Sequence, residues 1–198
     1  MKIIVVSNPD AVENEASIIN ALFDEGLKLF HLRKPDYSEN ELIGLIEKIN
    51  AKNHSKIVLH QHHQLVERFK INRIHFSESA RLKLKEEVFV NIKTKGFRLS
   101  TSIHELSALN LLSDAFTYTF YGPAFESISK PGYKPKSKEI ILPDNRKIKI
   151  VAIGGITPNR ISELEKLNFD GVAFLGAIWA DSKNAINIFR ECSQNVNM

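Results

Sequence analysis

Residues 149–178 read KIVAIGGITPNRISELEKLNFDGVAFLGAI and contain one full repeat of the pattern that decides the fold. Lys149 to Ile153 is a short apolar run rich in β-branched residues, which is how a strand buried on both faces reads. Gly154-Gly155 ends it. Thr157-Pro158 then opens a helix, with proline at the first helical position, where its missing N–H costs nothing. Gly171 to Leu175 is a second buried strand, ended by Gly176. Strand, crossover and strand in this order favour parallel pairing, because parallel neighbours need a long connection.

The same unit recurs toward the N-terminus. Lys2 to Ser7, Leu27 to Arg33, Ile57 to His60, Arg73 to Phe76, Phe97 to Ser102 and Ala115 to Tyr121 read as six further strands. Helical segments fall between most of them. Val12, Ala16, Ile19 and Phe23 recur at helical spacing before Gly26. Ser38 caps a helix carrying Leu42, Ile46 and Ile49, and shorter segments run near Leu65 to Phe69 and Leu106 to Leu112. Ala185 to Cys192 forms the last helix. Ser129 to Lys147 is rich in lysine and proline and reads as an active-site loop or a reduced crossover. Eight strands at a spacing of roughly 25 residues favour a closed (β/α)8 TIM barrel over an open doubly wound sheet. The α/β chain of residues 1–198 is expected to form one small domain.

Composition narrows the setting. Apolar residues at 43% and charged residues at 25% lie in the ordinary globular range. A net charge of +4 suits an anionic small molecule, and equally a solvated surface. Cys192 is the only cysteine, so an internal disulfide and a cysteine-based metal site are excluded, as befits a reducing cytoplasm. The N-terminal apolar run is too short for a signal peptide, and no run reaches the length of a membrane span. The basic stretch Arg81 to Lys85 lacks interleaved aromatics, and neither a Walker A loop nor Gly-x-Gly-x-x-Gly occurs. A cytoplasmic protein with small-molecule partners is expected, without nucleic acid or membrane; the sequence leaves a homo-oligomer open.

The last residues of the strands are the candidates for chemistry: His31 and Arg33, His60 and Gln61, Ser77, Ser102, Gly122, Gly154-Gly155 and Gly176. In a barrel they surround one mouth. Glycine lets backbone N–H groups approach phosphate oxygens, although Gly155 and Gly176 also read as ordinary tight-turn residues. Ser127 and Ser129 beside Lys130 can grip a phosphate or form a polar loop. Arg33 offers a planar fork for a diphosphate, or a partner for Asp36 or Glu39. His60, His62 and His63 cluster, with His31 and His75 on neighbouring strands, and imidazole is a good transition-metal ligand. No carboxylate or thiolate accompanies the cluster and its members alternate between faces, so no metal is assigned to it.

At these strand ends the chain resembles the thiamine phosphate synthase family, which includes the thiazole tautomerases of the TenI type. The resemblance is carried by Val151-Ala-Ile-Gly-Gly-Ile-Thr-Pro158 and by Gly171-Val-Ala-Phe-Leu-Gly-Ala-Ile178. Tyr118 through Gly122-Pro-Ala-Phe125, with Ser127-x-Ser129-Lys130, is similar to the family's Gly-Pro-x-Phe-x-Thr-x-Thr-Lys, and Ser102-Ile-His104 to its Ser-Val-His. The resemblance implies a protein of thiamine biosynthesis. Synthases of this family join a thiazole phosphate to a pyrimidine methyl diphosphate and release pyrophosphate; thiamine phosphate is the product. It further implies that Ser127 and Ser129 face the thiazole phosphate, whose phosphate rests on backbone at Gly155, Leu175 and Gly176. Arg33, Ser102 and Lys130 would face the diphosphate.

The chain departs from the family's pattern at three strand ends. Gln-x-Arg-x-Lys becomes His31-x-Arg33-x-Pro35, which removes one cation unless Lys34 swings into its place. The Asn-Asp pair after the third strand becomes His60-Gln61, and the Asp after the fourth falls near Ser79-Ala80. The resemblance implies Mg²⁺ as cofactor, yet both of its carboxylate ligands are missing, so no tightly bound Mg²⁺ is expected. Two other functions are consistent with these residues. One is a tautomerase with His31 or His60 as proton shuttle, although the tautomerase's own acid/base histidine is Pro123 here. The other is a non-catalytic protein that binds thiazole phosphate or thiamine phosphate.

Overall fold

The computed structural model describes residues 1–126 and 140–196. Its elements, in order, are β1 (Lys2–Val6), α1 (Glu15–Asp24), β2 (Phe30–Leu32), α2 (Glu39–Glu47), β3 (Ile57–Leu59), α3 (Leu65–Arg68), β4 (Arg73–Phe76), α4 (Glu78–Arg81) and α5 (Glu86–Thr94). There follow β5 (Arg98–Ile103), β6 (Phe116–Tyr121), β7 (Lys149–Ile153), α6 (Ile161–Lys166), β8 (Gly171–Phe174), α7 (Gly176–Trp179) and α8 (Ala185–Val196). The eight strands pair in chain order, all parallel, and β8 returns to β1 with Lys2 opposite Gly171. The expected closed (β/α)8 barrel is the observed architecture.

The elements form where the local chemistry allows them. α2 begins with a capping box: the Ser38 hydroxyl accepts from the Glu41 N–H, and the Glu41 carboxylate accepts from the Ser38 N–H. α1 starts three residues later than the apolar periodicity suggests, because Asn14 adopts a left-handed conformation just before it. The segment after β5 is a 3₁₀ turn, Leu106–Leu111, and none of its residues is buried. α5 had no apolar stripe to announce it: only Phe89 is buried, while Val88 and Val90 face solvent. Of the irregular stretch from 129 to 147, residues 140–147 are described and form neither helix nor strand.

Side chains alternate along each strand, and this splits the interior into two parts. Outward residues such as Val5, Phe30, Ile57, Ile74, Leu99, Ile150 and Phe174 join the helices in the main apolar core. Within the barrel, Ile4, Val6, Phe120, Val151 and Ala173 form a second, smaller apolar cluster around β1, β6, β7 and β8. The inward positions of β2, β4 and β5 carry His31, His75 and Ser100 instead, all buried. One side of the barrel is thus greasy and the other polar. Among the described residues no helix is long and apolar enough to cross a membrane.

Candidate active site

The C-terminal ends of the strands enclose a cavity of about 630 Å³. Arg33, Ser102, Gly155, Leu175 and Gly176 all line it, so five of the residues singled out in the sequence meet at one place. His31 lies beneath the cavity and is fully buried. Ser127, Ser129 and Lys130 lie outside the described residues.

Each wall is fixed by its own contacts. The Ser7 hydroxyl at the end of β1 donates to the Arg33 carbonyl and accepts from the Arg33 N–H, both at 2.8 Å, which pins the end of β2. The Arg33 side chain is exposed and forms no ion pair with Asp36 or Glu39. On the other flank of β1, Trp179 Nε1 donates to the Val6 carbonyl at 2.7 Å, tying α7 to that strand. Gly176 and Ala177 begin α7, where backbone N–H groups have no acceptor within the helix.

Gly155 is explained by packing before any ligand is considered. Its φ is +64°, and a Cβ there would lie 2.2 Å from the Glu126 carbonyl oxygen and 2.8 Å from the Phe125 carbonyl carbon. The Ala124 and Phe125 N–H groups donate to the carbonyls of Ile153 and Gly154, so two backbones run in close contact. Gly155→Ala is therefore expected to cost about 2–3 kcal/mol, from a left-handed β-carbon and an overpacked contact together. Thermal denaturation of the variant checks this; an unchanged melting temperature would mean that the two loops do not meet.

Three histidines converge on the polar side of the interior. His31 Nδ1 lies 2.8 Å from His60 Nε2, and His31 Nε2 lies 2.5 Å from the Tyr118 hydroxyl. His75 stacks on His60 with ring centroids 4.1 Å apart. Its Nδ1 meets the Ser100 hydroxyl at 2.9 Å and its Nε2 the Ser102 hydroxyl at 3.0 Å. His60 and His75 line the cavity. Burial in a low dielectric opposes the charged imidazolium and holds all three rings neutral, helped by their mutual repulsion and by Arg33 and Arg73. His75 is pushed down to about 3. Burial likewise raises the Tyr118 phenol above its ordinary value.

The sequence cluster of His60, His62 and His63 separates. His62 Nε2 donates to the Tyr37 carbonyl, and the His63 ring packs edge-on against Phe76. His60 instead joins His31 and His75, because inward positions on adjacent strands converge while neighbours in sequence do not.

The strand ends that carry metal ligands in the family do not fit Mg²⁺ here. The Gln61 amide donates to the Lys34 carbonyl, and the Ser77 and Ser79 hydroxyls bond each other. The Glu78 carboxylate faces Arg81 and His104. Among the described residues, Asp10 is the one carboxylate on the cavity wall. Lys34 does not swing into the mouth. It is completely buried, 2.6 Å from Glu15, and donates to the Asp10 carbonyl at 2.6 Å. Asp10 and His104 are cavity residues that the sequence reading passed over. Asp10 follows Asn8-Pro9, a pair that reads as a turn, and His104, whose Nδ1–H donates to the Gly122 carbonyl at 2.6 Å, stands in the sequence as part of the longer Ser102-Ile-His104 motif.

Comparison with known proteins gives a consistent answer. The family model described as thiamine monophosphate synthase, TMP-TENI, matches residues 3–178. Among solved structures, thiamine phosphate pyrophosphorylase from Bacteroides thetaiotaomicron superposes with a TM-score of 0.75 at 24% identity, covering 100% of this chain and 98% of that one. Thiamine phosphate pyrophosphorylase from Pyrococcus furiosus has a TM-score of 0.79 at 15% identity, covering 99% and 95%. 3-Hexulose-6-phosphate synthase from Salmonella typhimurium has a TM-score of 0.68 at 16% identity, covering 100% and 99%. At these identities the structures are alike in fold. No curated protein sequence matches the chain.

Proposed function

Since the chain belongs to the thiamine monophosphate synthase family, we propose that its cavity binds a thiazole phosphate and joins it, slowly, to a pyrimidine methyl diphosphate. The observation that carries this reading is that one cavity has both kinds of wall: Gly155, Leu175 and Gly176 at the ends of β7 and β8, and Arg33 and Ser102 at β2 and β5. The first wall offers backbone N–H groups to a phosphate. The second offers a guanidinium fork and a hydroxyl to a diphosphate. Ser127, Ser129 and Lys130 would add to the two sites as the family motif implies.

Coupling breaks the bond between the pyrimidine methyl carbon and the diphosphate oxygen, and forms one from that carbon to the thiazole nitrogen. The departing pyrophosphate carries the negative charge away, so its stabilisation sets the rate. Gln61, Ser79 and Ala80 bring no carboxylate to a metal there, which leaves the pyrophosphate to Arg33 and Ser102, with Lys130 as the family motif implies. Pyrophosphate release is therefore expected to be slow and nearly flat as Mg²⁺ is titrated. The double variant Gln61→Asp with Ala80→Asp is expected to gain Mg²⁺-dependent diphosphate binding. Fast release by the parent protein with a steep Mg²⁺ dependence would refute this account of the diphosphate site.

One observation favours a second reading. His60 presents a neutral imidazole to the cavity, the form in which it can accept a proton from a bound thiazole and return it at another atom. Following thiazole phosphate by NMR in the absence of any pyrimidine separates isomerisation from coupling.

A further inference from the structure

We propose that His31, His60 and His75 form a site for a divalent transition-metal ion of the zinc type, with its fourth position open to the cavity. The site stands apart from the thiazole phosphate reading, since none of its three side chains belongs to the two walls described above.

The geometry is close to what such an ion needs. One nitrogen from each ring can be chosen so that all three lie within 4.8 Å of one another. Tetrahedral zinc with metal–nitrogen bonds of about 2.0–2.1 Å sets its ligand atoms roughly 3.3 Å apart. One pair, His31 Nδ1 and His60 Nε2, is already at 2.8 Å. Two neutral imidazoles can face each other this closely only if a proton lies between their nitrogens, or a cation takes both lone pairs. Exchanging the proton for a metal would take a small movement of His31 and His60 and a rotation of the His75 ring out of its stack on His60.

The surroundings resemble an outer shell. A ligating histidine commonly fixes its ring by bonding its other nitrogen to a neighbour. Tyr118 holds Nε2 of His31, and Ser100 holds Nδ1 of His75. Each arrangement leaves the opposite nitrogen for the metal, with Ser102 giving way on the cavity side of His75. Burial keeps the rings neutral, which is the ligating form. His60 and His75 line the cavity and give the ion a way in. Imidazole nitrogen suits zinc, cobalt, nickel or copper, and suits Mg²⁺ poorly. Three neutral ligands leave the double charge uncompensated beside Arg33, so the fourth ligand would be hydroxide or another anion. A metal on His60 also removes that ring as a proton shuttle, so this site and the isomerase reading exclude each other.

The test is titration of metal-stripped protein with Zn²⁺ by calorimetry and with Co²⁺ by visible absorption. One equivalent of each should bind, and Co²⁺ should show the intense bands of a four-coordinate site. His60→Gln and His75→Gln should each weaken Zn²⁺ binding by about a hundredfold or more, and Tyr118→Phe by about tenfold. Should a histidine variant fail to fold, the Co²⁺ spectrum of the unaltered protein still decides. Uptake that is absent, or that gives only the weak bands of hydrated Co²⁺, overturns the proposal. So does Zn²⁺ binding that persists in a folded variant carrying both His60→Gln and His75→Gln, since surface histidines would then be responsible. Thiazole phosphate binding is measured on the metal-free protein, so failure of one site is distinguishable from failure of the other.

Discussion

Burial of the three histidines is expected to withdraw up to about 4 kcal/mol of stability from the metal-free protein between about pH 7.5 and pH 5.5, before any offset from other groups. His31, His60 and His75 all have folded-state pKa values well below the 6.5 of an exposed histidine. In the window below 6.5 the unfolded chain therefore binds protons that the folded chain does not, and unfolding gains free energy as the pH falls. The contribution is complete above the unfolded value and is lost on acidification toward the folded values. Glu15 works the other way: burial raises its pKa, so its contribution is present at low pH and is lost as the pH rises through its folded value. One carboxyl offsets only part of three histidines. Urea denaturation at a series of pH values measures the slope, which should be shallower in His75→Gln. A stability that stays flat from neutral to mildly acid pH would show that the rings are not buried together.

Lys34→Ala is expected to destabilise the protein by about 3–5 kcal/mol, because it strands the carboxylate of a buried pair. The Glu15 side chain is 3% exposed, and its Oε1 has no partner, so Lys34 is its main compensation. A fall in melting temperature of roughly 10 °C follows for a domain of this size. The deficit should shrink in acid, where Glu15 is protonated and no charge is left alone. Lys34→Met combined with Glu15→Leu should recover most of the loss, since an apolar pair of similar volume avoids the desolvation cost altogether. The effect reaches the site as well, because Lys34 anchors the Asp10 carbonyl at the cavity rim. A single variant as stable as the parent would mean that the pair is not buried.

The barrel was legible because its strands are written as short β-branched runs punctuated by glycine, and because eight of them repeat in register with helical spacers. Residues at strand ends were legible for the same reason: closure of the sheet brings Arg33, Ser102, Gly155, Leu175 and Gly176 to one cavity whatever their separation in sequence. Side-chain direction across strands was not. The proximity of His60, His62 and His63 in sequence drew attention to a local cluster, whereas the alternation of strand residues selects His60 alone to meet His31 and His75. Strand register decides that, and register comes from pairing. Lys34 shows the complementary failure. A lysine next to a strand end reads as a surface cation, and only the fold reveals Glu15 behind it. α5 was missed because its one buried residue, Phe89, gives no periodicity.

Calorimetric titration of thiazole phosphate into the unaltered protein and into Gly176→Val tests the proposed function most directly. The parent is expected to bind one equivalent. The variant places a branched side chain at the start of α7, on the cavity wall where the phosphate is proposed to rest. Loss of charge-assisted backbone contacts worth about 2–3 kcal/mol should weaken binding by roughly a hundredfold, with the fold retained. Absence of binding by the parent to both thiazole phosphate and inorganic phosphate, or an equal dissociation constant in the two proteins, would contradict the assignment of this cavity.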